Sequence, residues 1–156
     1  MEFSIKSGAP QTGGNGCMVA GVFETRRFSA AAAIIDRAAK GYLSKVVRRG
    51  DMQGKLGATL LLHDVPGVTG RVLLVGLGRE GDFRDKQYRE AVAAAVRALN
   101  GTGAEEAALY LTELPVGRRD AEWKVAHAVA VAGDAGYRFT ARRASVRHRP
   151  LPSSNE

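Results

Sequence analysis

Gly76-Leu77-Gly78-Arg79-Glu80-Gly81 fits the spacing G-x-G-x-x-G directly after an apolar run. Glycines so placed let backbone N–H groups approach a phosphate, which marks Gly76, Gly78 and Gly81 as a loop for a phosphate-bearing ligand. The surroundings suit a dinucleotide site poorly. Asp82-Phe83-Arg84 separate the third glycine from the next helix. The following strand begins near residue 106, too late for an acid about 20 positions on to meet a ribose. A flexible strand-to-helix turn is the simpler reading.

Basic side chains form the second constellation. Arg26-Arg27, then Lys45, Arg48 and Arg49, then Arg118-Arg119 lie at element ends or in loops, and Arg142, Arg143 and Arg147 lie near the C-terminus. Arg26, Arg27, Lys45, Arg48, Arg49, Arg142, Arg143 and Arg147 could meet nucleic-acid phosphates without reading sequence. Few aromatic residues are interleaved among them, which disfavours single-strand stacking and points to the backbone of a duplex. The plainer reading is a solvated surface, with Arg48 and Arg49 answering the macrodipole at a helix C-terminus. The net charge is +7, yet residues 137–149 hold five arginines and no acid, so most of that charge lies in one segment.

Other chemistry finds little support. His63, His127 and His148 share no metal-ligand spacing with one another or with Cys17, and a metal site needs converging ligands. Cys17 sits in an apolar run, reads as an inert core thiol, and as the only cysteine allows no internal disulfide. That usage fits the cytoplasm. No apolar run approaches the roughly 20 residues of a membrane span, and the N-terminus lacks the basic-then-apolar pattern of a signal peptide.

The elements that would hold these residues follow from 156 residues with 45% hydrophobic and 25% charged content, enough for one domain with a core. Residues 2–6 alternate and predict a strand, and 7–16 predict a loop. Cys17–Phe23 predicts a buried strand. Ser29 is placed to cap a helix over Ala30–Lys40 whose buried face holds Ala31, Ile34, Ile35 and Ala38. Helical spacing resumes at Tyr42 and stops at Gly50. Two apolar runs, Ala58–Leu62 and Val72–Leu77, predict strands buried on both faces at the sheet centre, joined by a turn at Asp64-Val65-Pro66-Gly67. Asp85 is placed to cap a helix with Tyr88, Val92, Ala95, Val96 and Leu99 inward. Ala107–Thr112 predicts another strand. A last helix, capped by Asp120, would bury Trp123, Ala126, Val129 and Ala130. The order β-β-α-β-β-α-β-α predicts an α/β fold, a three-layer α/β/α sandwich. Neither the first two strands nor the central two are separated by a helix, so the sheet should be mixed. Residues 138–156 read as an extended basic linker, which leaves 1–137 as the folded domain.

Several stretches resemble one family when taken in order. They are Met1–Gly8, Gly21-Val22-Phe23-Glu24, Gly41-Tyr42-Leu43 through Asp51, Thr59–His63, Arg71–Gly76, Leu111–Leu114 and Trp123-Lys124-Val125. Together they are similar to the N-terminal domain of the bacterial leucyl aminopeptidases (aminopeptidase A). The resemblance implies a macro-domain-like fold. It implies that the active site lies in a following C-terminal domain absent from this chain, where two divalent metal ions, zinc or manganese, hydrolyse the bond after an N-terminal residue. The family signature Asn-Thr-Asp-Ala-Glu-Gly-Arg does not occur here, so no catalytic residue, metal ligand or cofactor is assigned to this chain. The resemblance further implies a cytoplasmic homohexamer in which this domain contacts its own catalytic domain and other subunits, aids assembly and shields the sites. Duplex DNA is an alternative partner, in recombination or transcription control, and an ADP-ribose-type ligand in the macro-like cleft a lesser one. No membrane partner is implied.

Overall fold

Two long runs of buried residues set the architecture. In the computed structural model, Gly16–Phe23 forms β2 and Arg71–Gly78 forms β4, and nearly every residue of both is buried. Side chains alternate across a strand. Cys17 and Val19 of β2, with Leu73, Val75 and Leu77 of β4, therefore enter one core. Met18, Ala20, Val22, Val72 and Leu74 enter the other. Each core needs a helical layer. On the first side lie α3 (Asp85–Leu99) and α4 (Ala121–Asp134); on the second lie α1 (Ala30–Ala38) and α2 (Tyr42–Arg48). The three-layer α/β/α sandwich follows.

The remaining strands are β1 (Glu2–Ile5), β3 (Thr59–Leu62), β5 (Glu106–Leu109) and β6 (Arg138–Phe139). The structure describes residues 2–5, 16–100, 102, 104, 106–134 and 138–139. Among them the sheet order is β3-β4-β2-β5-β1-β6. The sheet is mixed, but only β3 runs antiparallel to its neighbour. β1 and β2 are not paired with each other; both run parallel to β5, which lies between them.

Several expectations need correction. β3 is not central: it is the sheet edge, and its leucines are half-buried because a neighbour covers them on one side only. β5 ends at Leu109, and Leu111–Glu113 turn as a short 3₁₀ helix instead of extending the strand. Ser29 does cap α1, accepting the Ala32 N–H at 3.2 Å, but the inward residues are Ala31, Ala32 and Ile35, and Ala38 is exposed. Asp85 does not cap α3. It is the first helical residue, while Gln87 Oε1 accepts the Arg84 N–H at 3.2 Å. The α3 stripe is as predicted, with Tyr88, Val92, Ala95, Val96 and Leu99 all buried. On α4 the predicted face is rotated: Ala128 and Ala132 are buried, whereas Ala126, Val129 and Ala130 are exposed. Asp120 does cap α4, accepting the Trp123 N–H at 2.9 Å. Arg138–Phe139 pair with β1, so the segment read as linker begins inside the sheet. Residues 140–156 lie outside the described residues.

Candidate functional site

In an open α/β sheet, ligands bind where successive connections leave one strand in opposite directions, at the carboxyl ends of the strands. Here that strand is β2. The chain leaves it toward β4 on one side, then crosses back to β5 on the other. A cleft of about 200 Å³ opens at this point, lined by Phe23, Arg27, Phe28, Ser29, Ala30, Ala31, Glu80, Tyr110, Glu113, Leu114 and Pro115. A second cleft of about 360 Å³ shares Phe23, Glu80 and Pro115 with it and adds Phe83, Arg84 and Gly117.

Three separate segments build this region. Ser29, buried between β2 and α1, holds the first. Its Oγ accepts the N–H groups of Gly21 and Ala32, each at 3.2 Å, which ties the start of α1 to the strand. Phe23 and Phe83 meet edge to face, with centroids 5.8 Å apart, as aromatic quadrupoles favour. Arg27 and Glu80 face each other at 3.6 Å on the rim, with exposed side chains. The sequence predicts a macro-like cleft near Gly76–Gly81 but not this lining, because residues 23–31, 80–84 and 110–117 meet only through the topology.

Two of the three motif glycines, Gly76 and Gly78, pack against the segment 54–58. The Gly76 N–H donates to the Ala58 carbonyl at 2.7 Å, and the Gly78 N–H donates to the Gly54 carbonyl at 2.8 Å. Both donors that a phosphate would need are thus engaged by the segment 54–58, which lies over β4. Gly81 stands in a short exposed 3₁₀ turn.

The described basic candidates fall in two segments of the fold. Arg26 and Arg27 occupy the turn between β2 and α1; Lys45 and Arg48 lie on α2, and Arg49 follows it. Arg27 pairs with Glu80 and Arg49 with Asp51, the latter at 3.1 Å. No ion pair joins Arg26, Lys45 or Arg48 to an acid among the described residues. Arg142, Arg143 and Arg147 lie outside the described residues.

Other titratable groups have structural partners. Burial pushes the Cys17 thiol up to about 12, so it stays protonated and inert. Trp123 stacks on His127 at 3.9 Å between centroids, and the Arg119 guanidinium lies 4.7 Å from its ring. Arg119 also holds Asp85 through two bonds of 3.2 and 2.7 Å, which keeps that carboxyl below its ordinary range. The Lys124 ammonium donates to the Leu114 carbonyl at 2.9 Å, and burial lowers its pKa. His63 is exposed. Among the described residues, no group of three or more His, Cys, Asp or Glu could hold a metal ion. No helix there is long and apolar enough to cross a membrane.

The sequence profile of the cytosol aminopeptidase family's N-terminal domain matches residues 19–145. A probable cytosol aminopeptidase of Dechloromonas aromatica is 52% identical over 140 residues, covering 89% of this chain and 28% of that protein. One from Halorhodospira halophila is 51% identical over 154 residues, covering 97% and 31%. The chain thus spans about 28% of the length of the curated relatives it matches first. Among solved structures, a tomato leucine aminopeptidase mutant superposes with a TM-score of 0.58 at 25% identity, over 84% of this chain and 26% of that one. The macrodomain of Mycobacterium tuberculosis DarG gives 0.59 at 11% identity, over 88% and 95%, a likeness of fold alone.

Proposed function

The chain belongs to the cytosol aminopeptidase family, as the N-terminal domain of that family, and from this we propose that it is the non-catalytic part of a longer leucyl aminopeptidase. The observation that carries the reading is coverage: the first curated relative aligns over 89% of this chain but only 28% of itself. The remainder would hold the chemistry. There two divalent metal ions, zinc or manganese, would activate water and polarise the carbonyl after an N-terminal residue. Residues 1–137 would act as the accessory domain, and the basic segment 138–156, entering through β6, would lead to the catalytic part. Its role would be to assist assembly of a cytoplasmic homohexamer and to shield the sites.

The test compares the 156-residue chain with the full-length protein on Leu-p-nitroanilide, each with manganese or zinc. The chain alone should release nothing. Metal-dependent release by the chain alone overturns the proposal. Light scattering adds a second readout: removal of residues 1–137 from the full-length protein should weaken hexamer formation.

Charge favours a second reading, contact with duplex DNA. Arg26, Lys45 and Arg48 are exposed, and the net charge is +7. Binding through phosphates should weaken steeply with salt. Fluorescence anisotropy of a labelled duplex across a salt series checks this, and no binding at low salt rejects it for this chain.

A further inference from the structure

The cleft at the end of β2 has a definite chemical character. Its lining includes the large apolar and aromatic residues Phe23, Phe28, Tyr110 and Leu114, beside the polar Ser29 and Glu113. Its volume, about 200 Å³, lies below the roughly 300–1,000 Å³ of sites for drug-sized ligands. A dry cavity of about 150 Å³ suffices for benzene. The space therefore suits one aliphatic or aromatic side chain.

The rim carries opposite charges. Arg27 and Glu80 stand 3.6 Å apart, with side chains 71% and 43% exposed. An ion pair so exposed adds little stability, so either partner can turn to a ligand at small cost. Arg84 lines the adjoining cleft, beside the same Glu80. The first turn of α1 also lines the hole through Ala30 and Ala31, and its dipole favours a carboxylate there. A dianion fits poorly, because Glu80 stands at the opening and the Gly76 and Gly78 N–H groups are engaged elsewhere.

An apolar hole with Arg27 and Glu80 paired on its rim, and Glu113 as a second carboxylate in its lining, complements a small molecule that carries both charges. We propose that this cleft binds a free α-amino acid with an apolar side chain, as its zwitterion. The side chain enters between Phe23, Phe28, Tyr110 and Leu114, the ammonium group meets Glu80, and the carboxylate meets Arg27. The inference rests on this geometry and not on the peptidase reading, so either stands if the other fails.

The test is an NMR titration of the ¹⁵N-labelled 156-residue chain with leucine, leucinamide, N-acetylleucine and ADP-ribose. Leucine should shift the amides of Phe23, Arg27, Ala31 and Tyr110 and reach saturation. Leucinamide lacks the carboxylate and N-acetylleucine lacks the ammonium, so each should bind about ten-fold more weakly or worse. Arg27→Gln and Glu80→Gln should each weaken leucine about ten-fold while leaving the melting temperature unchanged, since both side chains are exposed. Ala30→Phe, at an exposed lining position, should block the hole and abolish binding. Three results would each overturn the proposal: no saturable binding of leucine, binding of either derivative as tight as that of leucine, or preference for ADP-ribose.

Discussion

Gly76→Ala separates a packing role for the glycine motif from a ligand role. A Cβ on Gly76 would lie 1.9 Å from the Lys55 carbonyl oxygen and 2.8 Å from the carbonyl carbon. Both atoms are backbone, so no side-chain rotation relieves the clash. The segment 54–58 must lift off β4. Three bonds hold it there: Gly57 N–H to the Gly76 carbonyl at 3.1 Å, Gly76 N–H to Ala58 at 2.7 Å, and Gly78 N–H to Gly54 at 2.8 Å. Overpacking costs about 1–3 kcal/mol, and each weakened backbone bond adds about 0.5–1.5 kcal/mol. A loss of about 3–5 kcal/mol follows, a large share of the roughly 5–15 kcal/mol that keeps a domain folded. At about 3 °C per kcal/mol for this size, the melting temperature should fall by about 9–15 °C.

The neighbouring glycines supply the controls. Gly78 has φ +78°, so alanine there costs about 1–2 kcal/mol of left-handed strain. A Cβ on Gly81 meets nothing within 4 Å, so Gly81→Ala should stay within about 0.5 kcal/mol of the parent. Urea unfolding and calorimetry of the three variants give the order. If Gly76→Ala matches the parent in stability, or if Gly81→Ala loses as much as Gly76→Ala, the packing argument is wrong.

Three further expectations follow from buried groups. Ser29→Ala strands the N–H groups of Gly21 and Ala32, so the urea midpoint should drop by the equivalent of about 1–2 kcal/mol with an unchanged slope. Tyr88→Phe removes the 2.7 Å bond to the Lys124 carbonyl that ties α3 to α4, and calorimetry should show a loss of about 1 kcal/mol. The Cys17 thiol rises from 9.0 to about 12 in the fold because burial penalises the thiolate. The unfolded chain therefore releases that proton first as pH rises, so this contribution is complete below pH 9 and is lost between pH 9 and about 12. Denaturation at each pH should show a shallower decline over that window for Cys17→Ala than for the parent.

The helix α3 was legible because its apolar residues occupy one stripe and charges fill the rest, so only one orientation buries the stripe. Helix α4 was not. Its alanines and valines surround it, and periodicity cannot choose Ala128 and Ala132 over Ala126 and Ala130 when all are apolar. The position of β3 failed for a related reason. Three leucines in a row signal burial on two faces, but a sequence run does not say how many strand neighbours it has. The glycine motif was read locally, whereas its cause is distant: Gly76 makes room for Lys55, some twenty residues earlier. Of the cleft residues, only Glu80, inside the glycine motif, and Arg27, among the basic candidates, stood in stretches that the sequence singled out for ligand chemistry.

The segment 54–58 covers the end of β4 and also presses on β2, where a Cβ on Gly54 would lie 2.4 Å from the Phe23 carbonyl oxygen. It spends the N–H groups of Gly76 and Gly78 and seals the β4 side of the switch point. On the other side, β5 stops at Leu109, and the chain turns away through Leu111–Glu113. That early stop leaves Tyr110, Leu114 and Pro115 around a hole that a longer strand would have filled. Sealing on one side and truncation on the other leave the smaller cleft open between β2 and β5. A small molecule entering between β2 and β5 at that edge meets Phe23 and the Arg27–Glu80 rim, and finds the Gly76 and Gly78 N–H groups already engaged.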